Sequence, residues 1–238
     1  MNGVVRATSA RPRSSLDWGG GAEAYLTAIH VLLQEEHPSQ VVAARVAEYL
    51  GVSPASVSRA LGRLQVAGDL VQKVPTLVLS AQGWEHAERL LRHHHIAECW
   101  LTDELGMDWT RVHQEAQRLG SAMSEAVAMA LWEHLGRPQR CPHGTPIPGT
   151  DAVCPLVESL AEVGSGHYVI DRILEQVEDF VELLRQLKTS GLIPGASVDV
   201  KASTAGGQPS VRLAAVHDAP WIALQPWLAR KVLVRAQN

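Results

Sequence analysis

The four residues Gly51-Val52-Ser53-Pro54 constrain this chain more than any others. A residue without a Cβ permits the left-handed turn that ends a helix, and Ser followed by Pro suits an N-cap and first helical position. One helix therefore stops at Gly51 and another starts within three residues. Upstream, Ala44, Val46, Ala47 and Leu50 recur on one helical face; downstream, Val57, Leu61, Leu64 and Val66 do the same. Two short helices across a tight turn make a helix-turn-helix, whose second helix is shaped to enter a major groove. The runs Asp69–Val74 and Leu77–Ser80, separated by Pro75 and Thr76, predict a two-stranded wing carrying Lys73. This succession predicts a DNA-binding domain over residues 22–83. Ser53, Ser56, Ser58 and Arg59 would face the groove, and Arg63 and Lys73 would meet phosphates.

The net charge of −4 is unevenly spread: residues 1–83 carry seven Lys/Arg and six Asp/Glu, and the remainder fourteen and nineteen. Phosphate neutralisation drives affinity for nucleic acid, so a nearly neutral domain binds weakly on its own. A dimer, a regulated binder or both would meet that deficit. Helices are expected over Ala22–Glu36, Trp84–Leu105, Asp108–Leu119 and Met123–Leu135. The last three form a helical domain over residues 84–149, and Trp84, Trp100, Trp109 and Trp132 give it more apolar surface than a winged helix must bury. A homodimer interface accounts for that surplus, and two-fold symmetry would match a palindromic operator. Residues 1–21 read as a flexible, mildly basic arm. Arg137–Pro155 is a Pro- and Gly-rich linker, and residues 156–238 hold short strands spaced as in a small barrel. No run is long enough for a membrane span, and three cysteines without scaffold spacing point to a reduced cytoplasm.

The candidate chemistry lies beyond the wing. His94 and Glu98 stand four apart and so share a helix face, a pair that taken alone is more often a surface contact than a metal site. His93, His94 and His95 are consecutive, which excludes a buried cluster of the three on one face. His113, early in the next helix, would approach His94 across an antiparallel hairpin. In Cys141-Pro142-His143, an extended and proline-stiffened segment turns thiolate and imidazole to one side, a donor pair that divalent transition metals favour. No phosphate loop, Gly-x-Ser-x-Gly or His-Glu-x-x-His occurs. A Cys-His hydrolase built on Cys141 and His113 lacks any mark of an activated nucleophile, so the chain is not read as an enzyme.

In this order of parts the chain resembles the diphtheria toxin repressor and manganese-transport regulator family of metal-dependent transcriptional repressors. The resemblance covers residues 22–236 and rests on Glu23–Leu26, Ser53–Arg59, His94-His95-Ile96-Ala97-Glu98, Val112-His113 with Glu115-Ala116, Cys141-Pro142-His143-Gly144 and Pro146-Ile147-Pro148-Gly149. It implies a mainly α protein with small β parts: an N-terminal winged helix, a helical dimerisation domain with metal sites, and a C-terminal SH3-like domain related to ferrous-iron-transport accessory proteins. The family's ancillary metal site falls on His94, Glu98 and His113, joined in manganese-type members by Cys141 and His143 and completed by a carboxylate, Glu175 or Glu178. Mn²⁺ or Fe²⁺ is the implied cofactor, with Zn²⁺, Co²⁺ or Cd²⁺ expected to bind in vitro. The primary, activating site does not carry over: its ligand positions hold Ala24, Gln117, Gly120 and Ser121. An alternative is therefore a divergent member whose remaining metal site is structural and whose DNA binding answers to another effector.

Overall fold

Helix α1 (Ala22–Glu35) is the axis of the first part of the molecule, because every residue from Ala24 to Leu32 is buried. Around it pack α2 (Ala43–Leu50), α3 (Pro54–Ala67) and the start of α4 (Ala81–Asp103), closing a core that includes Leu26, Ile29, Leu32, Val46, Val57, Leu61, Leu64 and Leu91. The turn between α2 and α3 follows the sequence signals. Gly51 adopts φ 66°, in the left-handed region that favours glycine, and Ser53 Oγ accepts a hydrogen bond from Ser56 N at 3.2 Å. Val66 departs from expectation: it is 91% exposed, because the last turn of α3 runs past the end of this core.

A short β-strand follows on each side of the wing. Among the described residues, β2 (Leu70–Gln72) pairs antiparallel with β3 (Val78–Leu79), in register Leu70 with Leu79. The wing passes directly into α4 through Ser80, whose Oγ donates to Gly68 O at 2.6 Å and accepts from Gly83 N at 2.9 Å. With 23 residues, α4 spans about 35 Å. Its second half is covered by α5 (Val112–Ala122) and α6 (Glu125–His134). Ala97 and Leu101 meet Val112 and Ala116, and Ile96 and Cys99 meet Ala128 and Ile147. Trp84, Trp100 and Trp132 pack half-buried in these same cores, so part of their surface is consumed within the chain. The apolar surface left free lies on α6, where only Ala128 is buried and Val127 and Met129 are exposed.

The computed structural model describes residues 4–5, 21–72, 74–153, 155–202, 208–216 and 218–237. Most of the expected N-terminal arm, and Lys73, lie outside them. The chain divides into two units: Arg13–Cys141 with Ile147–Asp151, described above, and Met1–Pro12 with Pro142–Pro146 and Ala152–Asn238. The second unit is built on a seven-stranded sheet. Its strands are β1 (Val4–Val5), β4 (Glu158–Ser159), β5 (Gly166–Ile173), β6 (Ser197–Lys201), β7 (Ser210–Leu213), β8 (Ile222–Leu224) and β9 (Val232–Ala236). They run in the order β1-β8-β7-β6-β5-β9-β4, with β1 parallel to β8 and every other pair antiparallel. Helices α7 (Glu175–Glu178), α8 (Val181–Thr189) and α9 (Pro226–Ala229) complete it, α7 and α8 standing between β5 and β6.

Candidate metal centre and nucleic-acid interface

On the outer side of α3, Ser53, Ser58, Arg59 and Arg63 are exposed and Ser56 is half-buried. These side chains are already ordered by one another. Ser53 Oγ lies 3.0 Å from Ser56 Oγ, and Arg59 Nη2 donates to Ser56 Oγ at 3.2 Å. A guanidinium held in this way loses less freedom on meeting a base or phosphate than a loose one.

Behind the winged helix, α4 and α5 pack side by side and bring three donors to one point. His94 Nε2 lies 3.1 Å from His113 Nδ1, and Glu98 Oε1 lies 3.2 Å from each. All three residues are buried, Glu98 completely. Hydrogen bonding does not account well for this triangle. If both imidazoles donate to the carboxylate, two N–H groups confront each other along the third edge. A cation resolves the conflict, since donors about 2.0–2.2 Å from a metal stand about 3.0–3.5 Å apart at octahedral or tetrahedral angles. The two imidazoles and the carboxylate therefore fit a divalent ion in both chemistry and spacing.

The three consecutive histidines share no face, yet all three are buried. Each faces a different wall. His93 Nε2 lies 2.9 Å from Glu125 Oε2 on α6, and that hydrogen bond, ahead of the nearby Arg92 charge, holds the Glu125 carboxyl below its ordinary range. His95 gathers with Glu98 and Cys141, one donor atom of each lying within 4.8 Å of the others. His95 is the site residue that sequence reasoning missed; its signal is the three-residue spacing to Glu98, which places it on the other flank of the same face. Cys99, next to Glu98, is a different kind of thiol. Burial, and then the Glu98 charge, push its pKa up to about 12, and its Sγ donates to Arg140 O at 3.5 Å.

The remaining candidates belong to the second unit. His143 is fully buried, with Nδ1 3.2 Å from Glu178 Oε2, and its carbonyl accepts from Ile173 N at 2.9 Å. Glu175 and Glu178 open and close α7, both buried. The primary-site positions, by contrast, do not fit a metal. A Cβ on Gly120 would stand 2.9 Å from His94 Cα and 3.0 Å from His94 N, so the backbones of α4 and α5 touch where a ligand side chain would have to be. Ser121 Oγ is turned back onto Arg118 O at 3.0 Å, and Ala24 offers no donor.

A winged helix continued by a helical layer that buries imidazoles and carboxylates defines the class: DNA-binding regulators with a metal centre. The comparisons give the family. Residues 19–76 match the model described as iron dependent repressor, N-terminal DNA binding domain, and residues 80–149 match iron dependent repressor, metal binding and dimerisation domain. The iron-dependent repressor IdeR of Mycobacterium leprae is 35% identical over 197 residues, covering 77% of this chain and 85% of that one. The diphtheria toxin repressor of Corynebacterium diphtheriae is 37% identical over 130 residues, 54% of this chain and 57% of that one. Among solved structures, a manganese-dependent transcriptional repressor in complex with manganese superposes with a TM-score of 0.81 at 28% identity, over 91% of this chain and 100% of that one. The chain belongs to the iron-dependent repressor family, whose members are DNA-binding transcriptional repressors and not enzymes. No helix among the described residues is long and apolar enough to cross a membrane.

The contact at Gly120 carries a prediction. Gly120→Ala, and more so Gly120→Glu, should force α4 and α5 apart and destabilise the protein by about 1–3 kcal/mol, as overpacking does. Urea denaturation measures this. An unchanged midpoint for Gly120→Glu would show that the two backbones have room for a ligand there.

Proposed function

We propose that this chain is a cytoplasmic, metal-activated repressor. A divalent ion, Mn²⁺ or Fe²⁺, binds around Glu98 and strengthens the grip of a homodimer on a palindromic operator controlling metal-uptake genes. The observation that carries this reading is the triangle of His94, Glu98 and His113, with its 3.1 and 3.2 Å spacings, on a helix capped directly against the wing. Cys141, His143, Glu175 and Glu178 are the further proposed ligands of the centre. When bound, the ion supplies positive charge to a buried cluster of carboxylates and imidazoles. Because ligands on separate segments must be brought together, its binding energy becomes ordering energy.

The choice of metal rests on donor type. Nitrogen and oxygen donors suit manganese or iron, whereas the Cys141 thiol favours zinc, cobalt or cadmium in vitro. Relatives point the same way: the mycobacterial protein is an iron-dependent repressor, a similar structure is a manganese-dependent repressor, and structures of ScaR hold Cd²⁺ or Zn²⁺. The exposed apolar surface of α6 supports a two-fold dimer, and Cys99 and Cys141, which form no disulfide, fit a reducing compartment. At the DNA, Ser53, Ser56, Ser58 and Arg59 read the groove while Arg63 and Lys73 meet phosphates. A second reading keeps the ion as a structural element and assigns DNA binding to another effector; the closed primary positions at Gly120 and Ser121 favour it.

Operator selected from random duplex DNA separates the two. Binding that is lost in chelator, restored by Mn²⁺ or Fe²⁺, and not restored in His113→Ala supports metal activation. Binding unaffected by chelator supports the structural ion. A second measurement concerns readout. Arg59→Ala should weaken the selected operator by about 1–3 kcal/mol and relax preference at one base pair, whereas Lys73→Ala should weaken all sequences alike and flatten the salt dependence. Unchanged affinity in Arg59→Ala would take α3 out of the groove.

A further inference from the structure

We propose that the outer face of α4 holds a site for a small zwitterion, a molecule with a carboxylate and an ammonium group set about one helical turn apart. A cleft of about 600 Å³ runs along the first half of this helix, with Gly149 on its far wall, and its volume is that of a small-molecule site. It shares no residue with the triangle of His94, Glu98 and His113, so it does not depend on the metal reading. Its lining is charged and balanced, with Glu85 and Glu88 against Arg89 and Arg92. Glu85 stands one turn before Arg89 and Glu88 one turn before Arg92, the order in which such pairs attract best. Neither pair closes. Among the described residues Glu85, Glu88 and Arg89 form no ion pair, and Arg92 pairs only with Glu125 of α6, Nη2 to Oε1 at 3.0 Å. A simple anion in the cleft would meet two carboxylates and a simple cation two guanidinium groups. A zwitterion meets each charge with its opposite.

The basic end is prepared for a carboxylate. Arg92 is fixed by Glu125, which His93 Nε2 also holds at 2.9 Å, yet Arg92 Nε is buried without a hydrogen-bond partner. Gly149 adopts φ 76°, and a Cβ there would stand 2.8 Å from Arg92 Nη1, so the missing side chain leaves the guanidinium its place against the wall. A planar fork with open donors suits a carboxylate in both charge and shape. The opposite end of the cleft reaches the winged helix through Gln82 and His86. Gln82 Nε2 donates to Ala67 O, at the end of α3, at 3.0 Å and to Asp69 Oδ1 at 3.3 Å. His86 Nδ1 lies 3.3 Å from the other oxygen of Asp69, a buried residue just ahead of the wing. A ligand seated against Gln82 and His86 therefore bears on the end of α3 and the entry to the wing.

Titration of the full chain in chelator, followed by nuclear magnetic resonance, tests this with probes of graded charge separation. Glycine, γ-aminobutyrate and 6-aminohexanoate form the series, with butyrate and butylamine as single-charge controls. γ-Aminobutyrate should bind saturably, one per chain and most tightly of the three, and either control about tenfold more weakly. The Gln82 side-chain amide, the His86 ring and the backbone amides of Gly68 and Asp69 should shift together. Glu88→Gln and Arg89→Gln change exposed residues without ion pairs, so circular dichroism should be unaltered while each weakens binding about threefold. No saturable binding of any of the three zwitterions would overturn the site. So would butyrate binding as tightly as γ-aminobutyrate, or undiminished affinity in both variants. Binding without a shift at Gly68 and Asp69 would overturn the link to α3. Each of these results leaves the metal reading standing, because no metal is present in the titration.

Discussion

The structure turns on one buried carboxylate. Glu98 is wholly withdrawn from solvent and stands 3.2 Å from two imidazole nitrogens, with a third imidazole and a thiol close by. Burying a carboxylate is costly unless charge and hydrogen bonds compensate it, and neutral imidazoles compensate it only in part. Under the proposed function a divalent ion would complete the compensation and would take the place of hydrogen bonds among His94, Glu98 and His113. The elements that pack around Glu98 can therefore have two levels of order, one without the ion and one with it. That difference is the free energy available for regulation.

Helix α4 carries it toward the DNA-binding end. Ser80, in front of its first turn, bonds to Gly68 O behind the recognition helix, and Ala87 and Leu91 complete the winged-helix core. From Gly83 to Glu98 the distance along the axis is about 22 Å, crossed by one uninterrupted helix. Coupling between metal and DNA then needs no chain of intermediaries. In the proposed function, a change in how firmly α5 holds α4 at Glu98 would alter the platform on which α3 and the wing rest. The close backbone contact at Gly120 fits this account, since it joins α4 and α5 at His94, one turn from the carboxylate.

What the sequence made legible follows from the range of the forces involved. The turn at Gly51 and the cap at Ser53 are local backbone chemistry, and the structure holds them as expected, whereas α4 starts at Ala81, ahead of the expected Trp84, because Ser80 caps it. The shared face of His94 and Glu98 and the approach of His113 were legible for the same reason, because helix spacing and hairpin direction decide them. Burial on several sides was not. Helix geometry sends His93, His94 and His95 in three directions, and nothing local says that α6, α5 and the Cys141 segment wait in each of them. Val66 failed in the opposite sense: periodicity places it on the apolar face of α3, but the core ends before it. The tryptophans of the helical region shared that ambiguity, since composition counts apolar surface without saying whether the same chain or a partner covers it.

The most direct test of the account is thermal unfolding with and without metal, comparing the natural chain with Glu98→Gln, which keeps the shape and removes the charge. An ion that binds only the folded state stabilises it by about 2.7 kcal/mol at a concentration about 100 times its dissociation constant. The account predicts that Mn²⁺ raises the melting temperature of the natural chain in a concentration-dependent manner and leaves that of Glu98→Gln nearly unmoved. An equal rise in both would contradict it, because the metal would then be held without the carboxylate on which the structure depends.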